Sequence, residues 1–97
     1  MTTPQRLMVE GTTVLHFPPH VKFRFDETRQ RWVVLAPERL LLPDELSVEI
    51  LRMVDGKNAV DDIVDALMAT FSAQREEILG DVTALLQDLA DKGTLTA

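Results

Sequence analysis

Ninety-seven residues, 45% of them hydrophobic and 27% charged, with no cysteine, suffice for one domain with a single modest core and exclude disulfide and thiolate-metal scaffolds. The net charge of −6 is uneven: residues 1–43 hold six bases against four acids, and residues 44–97 hold four bases against twelve acids. An acidic second half repels phosphate backbones, whose binding depends on Lys and Arg, so nucleic acid is not an expected partner. No basic stretch followed by an apolar one opens the chain, and no apolar run approaches a membrane span. A cytoplasmic protein without membrane contact is expected.

Residues 1–19 show no sustained periodicity and end in Phe17-Pro18-Pro19, where two backbone donors are missing. They are expected to form a flexible N-terminal tail or linker, with at most a weak strand near Val14–Phe17, ahead of a domain over residues 20–97. Val21-Lys22-Phe23-Arg24-Phe25 alternates apolar and basic residues, the period of a strand with one buried face. After a polar turn, Arg31–Ala36 is apolar on both faces, with Trp32 and Val34 on one and Val33 and Leu35 on the other, as suits a central strand. Pro37-Glu38-Arg39 turns the chain, and Leu40-Leu41-Leu42 predicts a short third strand stopped by Pro43.

Helices follow. Asp44 is the expected cap of the first, with Leu46, Ile50, Leu51 and Val54 on its apolar face and Gly56 as its left-handed stop. Asn58 is the expected cap of the second, whose apolar face is Val60, Ile63, Val64, Leu67 and Phe71. Ser72, Glu76 and Glu77 open the third, which carries Ile78, Val82, Leu85, Leu86 and Leu89 and closes at Lys92-Gly93. Two short connections between strands predict an antiparallel meander, so the fold class is α+β: a three-stranded antiparallel sheet followed by three helices, βββααα.

Little in the chain points to catalysis. His16 and His20 are separated by two prolines and cannot share a helix face, so they are expected at the surface and not as metal ligands. Asp61, Asp62, Asp65, Glu76 and Glu77 lie on the polar sides of helices, where a solvated face explains them. No hydroxyl has a histidine base within reach of its element, and no glycine cluster forms a phosphate loop. Lys22, Arg24, Arg29 and Arg31 form a basic patch that either attracts an acidic partner or protects the edge of the sheet.

The anomaly is Leu40-Leu41-Leu42. An edge strand of this composition is apolar on both faces and offers unpaired backbone groups, which either invites an added peptide strand or requires a covering element.

From Trp32 through Arg39, then Leu42-Pro43-Asp44-Glu45, Ile50 to Gly56, Val60-Asp61-Asp62-Ile63 and Asp81 to Gly93, the chain resembles the PqqD family of pyrroloquinoline quinone biosynthesis over about residues 20–95. Pro43 departs from the polar residue expected there. The resemblance implies a winged-helix-like, non-catalytic peptide chaperone with no cofactor, the recognition element for a ribosomally made, post-translationally modified peptide. It would bind the precursor peptide PqqA and present it to the radical S-adenosylmethionine enzyme PqqE. Some members are fused to the oxidase PqqC, which reads the N-terminal segment as a linker remnant. The resemblance also implies that the peptide pairs with the third strand and lies against the third helix, at Leu40, Leu41, Leu42, Arg75, Leu79, Val82 and Leu86. The competing readings are a winged-helix DNA-binding protein, opposed by the acidic second helix, a small enzyme, opposed by the missing nucleophile–base pair, and a structural subunit of an oxidase.

Overall fold

The structure, a computed structural model, describes residues 6–97. Strands β1 (Lys22–Asp26), β2 (Arg31–Ala36) and β3 (Arg39–Leu41) precede helices α1 (Glu45–Leu51), α2 (Val60–Met68) and α3 (Arg75–Asp91). The sheet is an antiparallel meander in the order β1-β2-β3, with Phe23 opposite Val34 and Val34 opposite Leu41.

The alternation of side chains places Phe23, Phe25, Trp32, Val34 and Leu41 on one face of the sheet. That face meets the helices: Val34 belongs to the core, and Phe23 and Leu41 pack against it. An aromatic ladder fixes the β1 side, with Phe17 stacked on Phe23 at 5.5 Å and Phe23 on Trp32 at 4.8 Å between ring centroids. The Arg52 guanidinium, just past α1, lies 5.5 Å from the Trp32 ring centroid and closes this side.

Asp44 caps α1 as expected, its carboxylate accepting from the Ser47 amide at 2.8 Å. The caps of α2 and α3 differ from expectation. Ala59 is the N-cap of α2, and Asp62 reaches back to accept from the Ala59 amide at 2.8 Å. Asn58 instead serves the preceding turn, where Asp55 accepts from the amides of Lys57 and Asn58, both at 2.9 Å. Helix α3 opens at Arg75 and not at Ser72, with Gln74 in the N-cap position and Glu76 and Glu77 in the first turn. Gly93 takes a φ of 75° directly after the Lys92 cap and stops α3 without a Cβ penalty, whereas α1 ends earlier than expected, at Leu51 with Arg52 as its cap, and Gly56, at φ 79°, serves the turn that follows.

The segment expected to be a tail departs most from expectation. Residues 1–5 lie outside the described residues, but from Arg6 onward the segment is part of the domain. Val9 and Leu15 are buried in the core, and Leu7 and Phe17 pack against it. Backbone bonds anchor it: Val60 and Asp61 donate to the carbonyls of Thr13 and Gly11 at 2.9 and 2.8 Å, and His16 exchanges a pair of bonds with Thr96. These are isolated bridges between distant parts of the chain, so they leave no local periodicity to read.

Candidate functional site

Strand β3 is one residue earlier than expected, at Arg39–Leu41, because Leu42 already turns toward Pro43 and the cap of α1. Its inner edge pairs with β2. Among the described residues no strand occupies its outer edge, so that side carries unpaired backbone groups. Leu41 points to the helices, whereas Leu40 faces away on the other side of the sheet and Leu42 follows the strand; both are exposed.

Four residues beyond Leu42, α1 opens onto an apolar cleft of about 160 Å³. Leu46 and Ile50 of α1, Leu67 and Phe71 at the end of α2, and Ile78 and Val82 of α3 supply its apolar lining, with Glu77 and Asp81 at its polar margin. Leu46 and Phe71 are the exposed lips, at 41% and 43% exposure, while Ile50, Leu67 and Val82 form a buried floor. Both lips occupy apolar positions of their helical patterns and read as core in the sequence. The helices end too early to bury them: Leu46 sits in the first turn of α1, and Phe71 lies beyond the last residue of α2. The one available signal is a large apolar residue at the very end of an amphipathic pattern.

The expected site set divides in three. Leu40, Leu41, Leu42 and Val82 line the open strand or the cleft floor. Leu86 is fully buried in the core, so it supports the cleft without facing it. Arg75 and Leu79 lie elsewhere. Arg75 is held by the α2 carboxylates of Asp65 and of Asp61, the latter at 3.3 Å. On a 3.6-residue helix, Leu79 falls on the flank shared with Gln87, and Asp81 and Leu85 on the opposite one. Gln87 is bonded to the N-terminal segment, whereas Asp81 lines the cleft. Of the two flanks, the one with Glu77, Asp81 and Leu85 carries the α3 residues at the cleft margin. Treating the helix as one exposed edge missed this distinction, because its two flanks are equally amphipathic in sequence.

Electrostatics around the site are ordinary for a binding surface. The Asp44 carboxyl, at the junction of strand and helix, is held below its usual range by the Ser47 backbone amide, and that of Asp55 by the backbone amides of Asn58 and Lys57. Among the described residues no cluster of His, Asp and Glu has the geometry to hold a metal ion. An open strand edge next to a small apolar cleft can add a strand and accept a side chain.

The family model described as coenzyme PQQ synthesis protein D (PqqD) matches residues 31–95. The chain belongs to the PqqD family. A PqqA binding protein of Rhodopseudomonas palustris is 56% identical over 93 residues, covering 96% of this chain and 91% of that one. The bifunctional coenzyme PQQ synthesis protein C/D of Methylorubrum extorquens is 38% identical across 97% of this chain, which corresponds to 25% of the longer fusion. The solution structure of the PqqD truncation of Methylobacterium extorquens PqqCD, a functional and stand-alone recognition element, superposes with a TM-score of 0.76 at 38% identity, covering 92% of this chain and 95% of that one. The PqqD crystal structure from Xanthomonas campestris gives a TM-score of 0.58 at 32% identity, over 82% of this chain and 89% of that one. The three-strand, three-helix order is thus that of a PqqD fold, and the resemblance read from Trp32 to Gly93 is a true family relationship.

Proposed function

We propose that this PqqD-family chain is a peptide chaperone that binds the precursor peptide PqqA as a fourth strand on β3 and presents it to the radical S-adenosylmethionine enzyme PqqE in the cytoplasm. It takes no chemical step itself. The observation that carries this reading is the open outer edge of β3, from which the chain runs through Leu42 and Pro43 to Leu46 at the lip of the apolar cleft. Backbone bonds to β3 would supply affinity independent of sequence, and one apolar peptide side chain in the cleft would supply selectivity. Relatives named as PqqA binding proteins at 56% identity support PqqA as the peptide, and a relative in which the C and D proteins are one chain supports work alongside another protein of the same biosynthesis. The rival reading as a DNA-binding protein finds no support in α2, whose exposed side presents Asp61, Asp62 and Asp65 and no base.

Amide chemical shifts recorded while PqqA is added to the 15N-labelled protein test the reading. Shifts should concentrate at residues 39–42, at Leu46 and Phe71, and along the Glu77–Leu85 flank of α3. Shifts confined to β1, or to the flank of α3 that holds the N-terminal segment, would reject the site.

A further inference from the structure

The sheet has a second face, and it is unlike the rest of the molecule. By strand alternation Lys22 and Arg24 of β1 and Arg31 of β2 fall on this face, with Leu35 of β2 and Leu40 of β3 beside the fully buried Val33, and Arg31 also borders the cleft at the start of α1. All three bases are exposed. Among the described residues none of them is within ion-pair distance of a carboxylate, which they share with Arg39 and Lys57, whereas Arg6, Arg29, Arg52, Arg75 and Lys92 are paired. Arg31 donates only to the Pro43 carbonyl, at 3.1 Å. The acid on this face, Asp26, is occupied by Arg29 and by the amides of Thr28 and Arg29. In a protein of net charge −6, three unpaired bases on one face form a local positive field.

Protection of a sheet edge against aggregation would explain Lys22 and Arg24, which stand on the edge strand β1. It does not explain Arg31, which is on the central strand, or the apolar side chains of Leu35 and Leu40 that extend the same face toward β3. A face with bases at one side and apolar residues at the other suits a protein surface that is acidic with an apolar portion. It suits a phosphate backbone poorly, because the acidic helical half surrounds it.

Geometry then names the occupant, on the reading of β3 given above. A peptide strand added to β3 continues the same sheet, so every second side chain of that strand emerges on the face of Leu40 and Leu35. The bases of β1 lie about 10 Å from β3, two strand spacings away. A protein docked on this face therefore touches the domain and the outward side chains of the peptide together. We propose that the outer face of the sheet, through Lys22, Arg24 and Arg31 with Leu35 and Leu40, docks an acidic surface of the enzyme that modifies the bound peptide. The inner face and the cleft hold the peptide, and the outer face holds the enzyme.

The test uses the full chain, PqqA and PqqE, with charge reversal at Lys22→Glu and Arg24→Glu, residues outside both the core and the peptide site. Association with PqqE in the presence of PqqA should weaken at least tenfold, wild-type association should weaken as NaCl rises from 50 to 300 mM, and PqqA affinity measured alone should change less than twofold. The neutral pair Lys22→Gln and Arg24→Gln, which keeps the strand and removes the charge, should fall between. Unchanged PqqE association in the folded reversal variant would overturn the proposal, as would a reversal that changes only self-association or only binding to an RNA oligomer. A failure of PqqA to bind β3 shows separately, in the peptide titration without enzyme, and would remove the peptide reading and not merely this one.

Discussion

The side chain of Gln87 on α3 works as a strand partner for Val9: its carbonyl oxygen accepts from the Val9 amide at 2.9 Å while its amide nitrogen donates to the Leu7 carbonyl at 2.8 Å. This clamp lays the segment before the first strand along one flank of α3, with Arg6 paired to Asp91 at the end of the same helix. The flank is thereby occupied by the chain itself. The peptide site proposed above uses the other one.

Removing residues 1–13 should destabilise the domain. Val9 is 5% exposed, and burial of such a side chain contributes about 1.5–3 kcal/mol; the two bonds of Gln87 add about 1 kcal/mol each. The truncated chain should lose roughly 3–5 kcal/mol in urea unfolding at pH 7, and Gln87→Ala alone about 1–2 kcal/mol. Equal midpoints for the truncated and full chains would return the segment to the status of a tail.

Leu46→Ala and Phe71→Ala should separate binding from folding. Both side chains are more than 40% exposed, so truncation should cost less than about 1 kcal/mol of stability. Each should weaken PqqA binding by about 1–3 kcal/mol if it anchors a peptide side chain. Leu86→Ala should do the reverse, losing about 2–5 kcal/mol of stability with little change in affinity for the fraction that remains folded. Calorimetric titration beside denaturant curves reads both quantities.

Arg75→Ala should leave PqqA affinity within about threefold, because its guanidinium is held by Asp61 and Asp65 and lies away from the cleft. Asp81→Asn, on the cleft side of α3, should change affinity more than Arg75→Ala does. The opposite ranking would move the peptide to the flank facing α2.

Stability should fall in acid, and the sign follows from four carboxyls. Asp26 is lowered chiefly by the Arg29 backbone amide, Asp44 by that of Ser47, Asp55 by that of Asn58, and Asp91 by the hydrogen bond from Arg6. A carboxyl with a depressed pKa in the folded state contributes stability that is complete above the unfolded value and is lost as pH falls through the folded one. Urea midpoints should therefore be level from pH 7 to about 5 and decline below about 4, the ordinary aspartate value. Asp55→Asn should flatten part of that decline, since the amide has no proton to gain. A midpoint that rises below pH 4 would contradict the assignment of these bonds.

The elements and their order are legible along the chain, because each is written in local terms. Alternation at residues 21–25 and 31–36, the 3.6-residue spacing of Ile78, Val82, Leu86 and Leu89, and the glycines at 56 and 93 all act within a few residues of themselves. The suspect strand at Leu40–Leu42 was legible for the same reason, since an apolar edge is a local oddity wherever it sits. Relations between distant residues are not legible there and emerge only on folding. Val9 reaches Gln87 across 78 positions, and Thr13 meets Val60 through backbone atoms that carry no side-chain signature. Which flank of α3 faces β3, and which core-patterned leucine is left at the surface as Leu46 is, depend on where the helices end and what lies against them. Amphipathic spacing defines an apolar stripe on a helix, but the stripe is the same whether its margin meets the chain's own N-terminal segment or lies open to a peptide.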